Sequence, residues 1–410
     1  MGSLNNKRVL LGITGGIAAY KCADLSRRLR DAGADVRVVM TEAAEAFVTP
    51  LTMQAVSGHP VHQYLLDPGT ESAMGHIELA RWADIILIAP ASANFLAKLA
   101  SGRADDLLST LCSAASAPLA VAPAMNRQMW HNRATQDNLK TLQQRQVLIL
   151  GPAEGVQACG EHGPGRMLEP VELVDGIKNC FASGALDGLN VMVTAGPTWE
   201  AIDAVRGLTN RSSGKMGYAV AEAAAEAGAT VTLVSGPVKI SSPDRVHTID
   251  VTSALDMLDA VNQYIDTADI FIAVAAVSDY RVAHPATEKI KKTGDAITLE
   301  LVENPDILAA VASRPQAPFT VGFAAETSNI ETCAYEKLLQ KNVDLIAANQ
   351  VGDSDSGFDA DYNSLLVIGR DYKTLLEKQY KTRLARKLIT IIAEQYHAKN
   401  TTQDSRPQAR

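Results

Sequence analysis

The chain has 410 residues, enough for two or three domains with cores of their own. It is 47% hydrophobic and 20% charged, which excludes an intrinsically disordered chain. Its 38 Lys and Arg against 46 Asp and Glu leave a formal net charge of −8, which argues against nucleic acid or an anionic membrane as partner.

In chain order, Val9-Leu10-Leu11-Gly12-Ile13-Thr14 predicts a buried strand. Gly15-Gly16 turns it into a helix over residues 17–32. Gly33-Ala34-Asp35 then leads to a second strand over 36–40, and Ala83-Asp84 to a third over 85–89. The same grammar restarts at residue 190, with strands over 191–195, 231–234 and 270–274. Strands alternating with helices of this length predict an α/β protein with two doubly wound Rossmann-like domains. The expected domains are 1–189 and 190–410, joined through the Gly-rich stretch 182–188. In the second half the segment from Trp199 to Lys215 is too polar and Gly-rich for a core helix. An insertion there lies at the carboxyl edge of the sheet, where such folds bind ligands.

Five cysteines, at 22, 112, 159, 180 and 333, are odd in number, scattered and without a CxxC pair. That pattern fits neither a zinc site nor a disulfide framework. No apolar run has the length of a spanning helix, and the first residues lack the apolar centre of a signal peptide. The expectation is a cytoplasmic protein.

Several junctions carry candidate chemistry. Thr14-Gly15-Gly16-Ile17 joins a strand to a helix, where backbone N–H groups can hold a phosphate; a plain tight turn reads equally well. Thr41, Ser92, Ser109 and Thr110 offer hydroxyls at further strand or helix ends, and for Ser92 helix capping is the alternative. Asn126 follows another strand end. Cys159 sits in Ala158-Cys159-Gly160-Glu161-His162-Gly163-Pro164-Gly165-Arg166-Met167, whose glycines suit a flap better than a core element. In the second half, residues 207–217 resemble a P-loop only superficially, because the spacing fails and Met216 stands where Ser or Thr is needed. Asp279 ends a strand, Lys289 lies in a basic run, and Lys337 and Lys341 share a helix face.

Taken together, Gly15-Gly16-Ile17-Ala18-Ala19-Tyr20, Gly75-His76-Ile77, Pro123-Ala124-Met125-Asn126 and the glycine-rich Cys159 segment resemble the flavin-dependent cysteine decarboxylases. Over residues 7 to 395 the chain resembles the bifunctional phosphopantothenoylcysteine decarboxylases/phosphopantothenate–cysteine ligases of coenzyme A biosynthesis. The resemblance implies a flavodoxin-like first domain holding FMN through Thr14, Gly15, Gly16, Ile17, Thr41, Ser92, Ser109 and Thr110. It implies His76 as active-site base or orienter, Asn126 as holder of the substrate carboxylate and Cys159 as proton donor. For the second domain it implies CTP bound by Ala273, Val274, Ala275, Asp279, Lys289, Asn304, Pro305, Asp306, Ile307, Phe323, Lys337 and Lys341. Lys289 would act in activation, Asn210 would hold the acyl-cytidylate, and Mg²⁺ would bridge the phosphates through ligands the sequence does not identify. The implied partners are 4′-phosphopantothenate, cysteine and phosphopantothenoylcysteine. A homo-oligomer with trimeric decarboxylase and dimeric ligase contacts, up to a dodecamer, is also implied. Two rivals remain: a decarboxylase with an inactive C-terminal half, and a flavin- or nucleotide-binding module without turnover.

Overall fold

The computed structural model describes residues 4–65, 75–292, 296–326, 329–350 and 360–404. Contacts divide the chain into two units, Met1–Phe181 and Ala182–Arg410.

In the first unit, β1 (Arg8–Ile13), β2 (Asp35–Met40), β3 (Ile85–Ala91), β4 (Leu119–Pro123) and β5 (Leu148–Ile149) form a parallel sheet ordered β2-β1-β3-β4-β5. Leu11 lies opposite Val38 on one side and Leu87 on the other. Helices cover both faces, so the strands read as continuous apolar runs rather than alternating ones. Leu25, Leu29, Leu173 and Ile177 pack on one face, and Phe95, Leu96, Leu108 and Leu111 on the other. The chain leaves β1 for β2 on one side and returns to β3 on the other. This creates a topological switch at the carboxyl ends of β1 and β3, the place where such sheets leave a crevice. The helix expected over 17–32 is in two pieces, a 3-10 turn Ile17–Tyr20 and an α-helix Lys21–Asp31. The segment beyond the sheet forms an antiparallel hairpin of β6 (Ala153–Val156) and β7 (His162–Arg166), followed by helix Pro170–Phe181.

The second unit opens with β8 (Asn190–Ala195). The insertion after it forms a small hairpin of β9 (Trp199–Ala201) and β10 (Gly207–Thr209) before helix Lys215–Glu226. Then come β11 (Thr230–Ser235), β12 (Val246–Asp250), β13 (Ile270–Ala273), a two-stranded ribbon of β14 (Tyr280–Val282) and β15 (Leu301–Glu303), β16 (Phe319–Glu326), β17 (Leu345–Gln350), β18 (Tyr362–Gly369) and β19 (Lys373–Tyr380). The large sheet is ordered β12-β11-β8-β13-β16-β17-β18-β19, parallel through β17 and antiparallel beyond it. Its switch lies between β8 and β13. In both units the last helix packs on the first: Pro170–Phe181 on Lys21–Asp31, and Lys381–Asp404 on Lys215–Glu226.

Candidate active sites

A cavity of about 900 Å³ opens at the β1/β3 switch of the first unit. Thr14, Gly15, Gly16 and Ile17 line it from the end of β1, Thr41 from the end of β2, Ser92 from the end of β3, and Asn126 from the end of β4. A Cβ built on Gly15 would lie 2.6 Å from that of Ala43, whereas one on Gly16 would meet nothing within 4 Å. The turn is therefore tight behind and open in front.

The hydroxyls have structural duties as well. Thr14 Oγ1 donates to Pro90 O at 2.6 Å and accepts from Ser92 N at 3.1 Å, so it ties the β1 and β3 ends together. Ser92 Oγ caps helix Ala93–Ser101 by accepting from Phe95 N at 3.3 Å. Two lysines on the wall are already paired. Lys21 Nζ lies 2.7 Å from Glu169, and Lys98 Nζ lies 2.7 Å from both Asp105 and Asp106. The hydrogen bonds it donates to Asp105 and Asp106 hold the Lys98 ammonium above its ordinary pKa. Ile17, Met125, Met129 and Val156 supply an apolar wall.

The β6–β7 hairpin brings the thiol to this cavity. Asn126 caps helix Arg127–His131 with its Oδ1, which accepts from Gln128 N at 2.7 Å, leaving Nδ2 to face the hairpin. Nδ2 lies 3.4 Å from Cys159 Sγ, 3.4 Å from Gln157 Oε1 and 2.8 Å from Glu161 Oε2. Cys159 is exposed. Gly165 makes the close approach possible. Its φ is +132°, its carbonyl accepts from Met125 N at 2.9 Å, and an added Cβ would lie 2.3 Å from Met125 O.

Three expected residues do not line this cavity. Ser109 is fully buried and its hydroxyl completes a capping box with Asp106; Thr110 Oγ1 donates to Asp106 O at 2.8 Å. Both therefore shape the cavity only through Asp106, which does line it. His76 sits at the start of helix Gly75–Trp82, half-buried and off the cavity wall. His76 and Cys159 are thus not brought together on the cavity of one chain. Lys21, Gln157 and Gly165 line the cavity without having been singled out from sequence. Of the three, only Gly165 lay within the glycine-rich run around Cys159.

The second unit has a cavity of about 550 Å³ at its own switch, between β8 and β13. Ala273, Val274, Ala275, Asp279, Asn304, Pro305, Asp306, Ile307, Phe323, Lys337 and Lys341 all line it. Ala275 N donates to Thr194 Oγ1 at 3.4 Å, binding the β8 and β13 ends. Asn304 Nδ2 donates to Ser278 O at 2.8 Å, and Asp306 Oδ1 caps helix Ile307–Ala312 by accepting from Ala309 N at 3.0 Å. Lys341 Nζ is 2.9 Å from Asp306 Oδ2, and Lys337 Nζ is 2.6 Å from Glu326 Oε1. Burial works against the charged form of Asp306, yet the Ala309 N–H and Lys341 hold its carboxyl below the usual range. Asp279 is exposed, and its carboxylate makes no hydrogen bond or ion pair to another described residue.

Gly214, at φ +77°, ends the loop and caps helix Lys215–Glu226. Gly217 sits so close to β8 that a Cβ would lie 2.5 Å from that of Ala195. No motif points to Lys381, Asn349 or Asn363, which reach the wall from distant elements. Asn210 and Lys289 do not line the cavity. Asn210 Nδ2 donates at 2.9 Å to the carbonyl of Ala276, which does line it. Lys289 is exposed in the irregular segment between β14 and β15.

Two switch-point cavities on two Rossmann-like sheets, one with an apolar wall and a thiol-bearing hairpin and one lysine-lined, define a tandem α/β protein with a ligand site in each unit. The model of the flavoprotein family matches residues 1–182, and that of the DNA/pantothenate metabolism flavoprotein C-terminal domain matches residues 186–396. The chain is 55% identical over 398 residues to the coenzyme A biosynthesis bifunctional protein CoaBC of Vibrio cholerae, covering 96% of this chain and 100% of the relative. It is 52% identical to that of Escherichia coli K12, covering 97% and 99%, and 46% identical to that of Bacillus subtilis, covering 90% and 92%. The chain belongs to the family of coenzyme A biosynthesis bifunctional proteins. Among the described residues no helix is long and apolar enough to cross a membrane.

Proposed function

We propose that the two units catalyse consecutive reactions. The second joins cysteine to 4′-phosphopantothenate with CTP, and the first removes the cysteine carboxylate from phosphopantothenoylcysteine to give 4′-phosphopantetheine. The chain is then a phosphopantothenate–cysteine ligase and a phosphopantothenoylcysteine decarboxylase in one cytoplasmic polypeptide. The observation that carries the reading is the meeting of residues 14–17, 92, 126 and 159 in one cavity.

That cavity fits FMN: it is large, its Gly16 turn is open in front, and an apolar wall faces backbone and hydroxyl donors. Thr14 to Ile17, Thr41 and Ser92 would hold the cofactor. When bound, FMN supplies the oxidation of the substrate thiol that eases loss of CO₂, and the hydride returned afterwards. The Asn126 amide would orient the substrate carboxylate, and Cys159, 3.4 Å from it, would deliver the final proton. The hairpin would shield this chemistry from water. His76 lies off this wall.

In the ligase the phosphopantothenate carboxylate attacks the α-phosphorus of CTP and pyrophosphate leaves. The cysteine amine then attacks the acyl-cytidylate and CMP leaves. Lys337 and Lys341 would exchange their acidic partners for the triphosphate, and Lys289 would stabilise the charge that builds on the α-phosphate. Asn210 would hold the acyl-cytidylate. Ala273 to Ala275 and Phe323 would flank the cytidine, with Asp279 on its polar edge. Asn304 to Ile307 would form the floor. Among the described residues no three His, Cys, Asp or Glu side chains are grouped to hold a metal ion. Mg²⁺ would enter with the triphosphate of CTP and offset part of its charge.

The test is a coupled assay by mass spectrometry on the full chain with 4′-phosphopantothenate, cysteine, CTP and Mg²⁺. The expected products are 4′-phosphopantetheine, CMP, pyrophosphate and CO₂. Lys289→Gln is expected to lower pyrophosphate release by about 10³-fold, to a small measurable rate, while supplied phosphopantothenoylcysteine is still decarboxylated. Cys159→Ser is expected to release CO₂ but stall before the reduced thiol product. Accumulated phosphopantothenoylcysteine in the wild type refutes the decarboxylase, and absent pyrophosphate supports a silent C-terminal half. Neither product, with flavin bound, supports a binding module instead. A solution mass of one chain refutes the homo-oligomer.

A further inference from the structure

Asp203 is a carboxylate that the cavities do not use. It lies in the turn between β9 and β10, and its side chain has no exposed area. Five N–H groups converge on its two oxygens. Val205 N and Arg206 N donate to Oδ1, each at 2.8 Å. Arg206 Nε at 2.9 Å, Arg206 Nη2 at 2.5 Å and Ile290 N at 3.1 Å donate to Oδ2. Nη2 of the same arginine donates to Ile290 O at 3.1 Å. One ion pair therefore answers both backbone polar groups of Ile290, a residue 87 positions away from Asp203. Ala286 N also donates to Ile202 O at 3.0 Å.

The position so held is informative. Ile290 follows Lys289, which is exposed and makes no hydrogen bond or ion pair to another described residue. The described residues between β14 and β15 have no regular secondary structure. A lysine carried on such a segment would sample many positions, and each ordering contact would oppose chain entropy. Successive Cα atoms are about 3.8 Å apart, so fixing the main chain of Ile290 also fixes the root of the Lys289 side chain. Asparagine would not substitute, because it offers one acceptor oxygen and would turn an amide toward the guanidinium.

We propose that Asp203 is a positioning residue for Lys289: through its ion pair with Arg206 it pins the Ile290 backbone and so aims the ammonium of Lys289 during activation of the carboxylate by CTP. This rests on the reading of Lys289 as the activation lysine.

The experiment uses the full chain as wild type, Asp203→Asn, Lys289→Gln and the double variant. Pyrophosphate release with CTP and 4′-phosphopantothenate gives kcat and KM, and CTP binding checks that the ligase unit is folded. Trypsin cleavage after Lys289, Lys291 and Lys292 reports on the pinned segment. Asp203→Asn is expected to lower kcat by about 10²-fold, the scale of a misplaced catalytic group. KM for CTP should stay near the wild-type value, and tryptic cleavage should accelerate. In the Lys289→Gln background Asp203→Asn should cause no further loss, because both changes remove one interaction. An equal fractional loss in both backgrounds, or unchanged kcat in Asp203→Asn, overturns the proposal. Full activity in Lys289→Gln sinks the reading of that lysine, and the positioning role with it. If Asp203→Asn fails to bind CTP, Ile290→Pro removes the N–H while keeping the ion pair. It should reproduce the kcat loss, and wild-type kcat there overturns the proposal.

Discussion

The thiols of the chain occupy unlike surroundings. Cys22 is fully buried and donates to Ala89 O at 3.0 Å, and burial pushes its pKa far up. Burial also raises Cys112, to about 12. Burial therefore holds Cys112 as the thiol, whereas the thiolate is the form that reacts. Of the five, Cys159 alone is exposed. Iodoacetamide at pH 8 is therefore expected to modify Cys159 well before Cys22 or Cys112, with peptide mapping as the measurement. Early labelling of Cys112 would contradict the packing of helix Leu107–Ala114. The sequence showed which residues stand at strand ends, but not what each does there. Thr14 and Ser92 read as ligand contacts and also hold the loops together. Ser109 read as one and is buried in a capping box. Residue type and neighbourhood do not reveal direction, and direction separates a cap from a contact.

Among the elements, the β6–β7 hairpin depends on a glycine more than on its other residues. Gly165→Ala would set a methyl against Met125 O in a backbone conformation that alanine rarely adopts. Strain of this kind costs about 1–3 kcal/mol. Decarboxylation is expected to fall by about 10-fold or more as the Cys159 hairpin lifts from Asn126. Pyrophosphate release by the same preparation should be unchanged. Gly102→Ala is the control: φ is +71° but nothing lies within 4 Å of the added Cβ. It should lose about 1–2 kcal/mol and keep its decarboxylase activity. A flap was legible here from glycine density. Hairpin β9–β10 was legible only as a polar insertion, because its pairing is set by contacts three residues long.

At the scale of the whole molecule, each unit has its own sheet and its own pair of apolar layers. Two thermal transitions are expected, since two-state behaviour belongs to single small domains. Leu388→Ala, at a fully buried position, should destabilise the second unit by about 2–5 kcal/mol. By calorimetry one transition should fall while decarboxylation persists. A single transition that moves as a whole would refute two independent cores. The doubly wound architecture was legible because parallel strands buried on both faces leave uninterrupted apolar runs. The antiparallel edge β18–β19 was not, since half-exposed strands late in the chain carry a weaker pattern.

The packing of each last helix on the first also bears on how the polypeptide is made. Leu173, Val174 and Ile177 cover Leu25 and Leu29, so the flavoprotein half lacks part of one layer until translation passes Phe181. At about 5–20 residues per second the stretch from Phe181 to Asp404 takes about 10–50 s to synthesise. That interval is long enough for the first half to fold, and to take up flavin, on the ribosome. The ligase half closes later: its own closing helix, tied to Glu226 by Arg386 at 2.7 Å, is made only after all the strands of its sheet have left the tunnel.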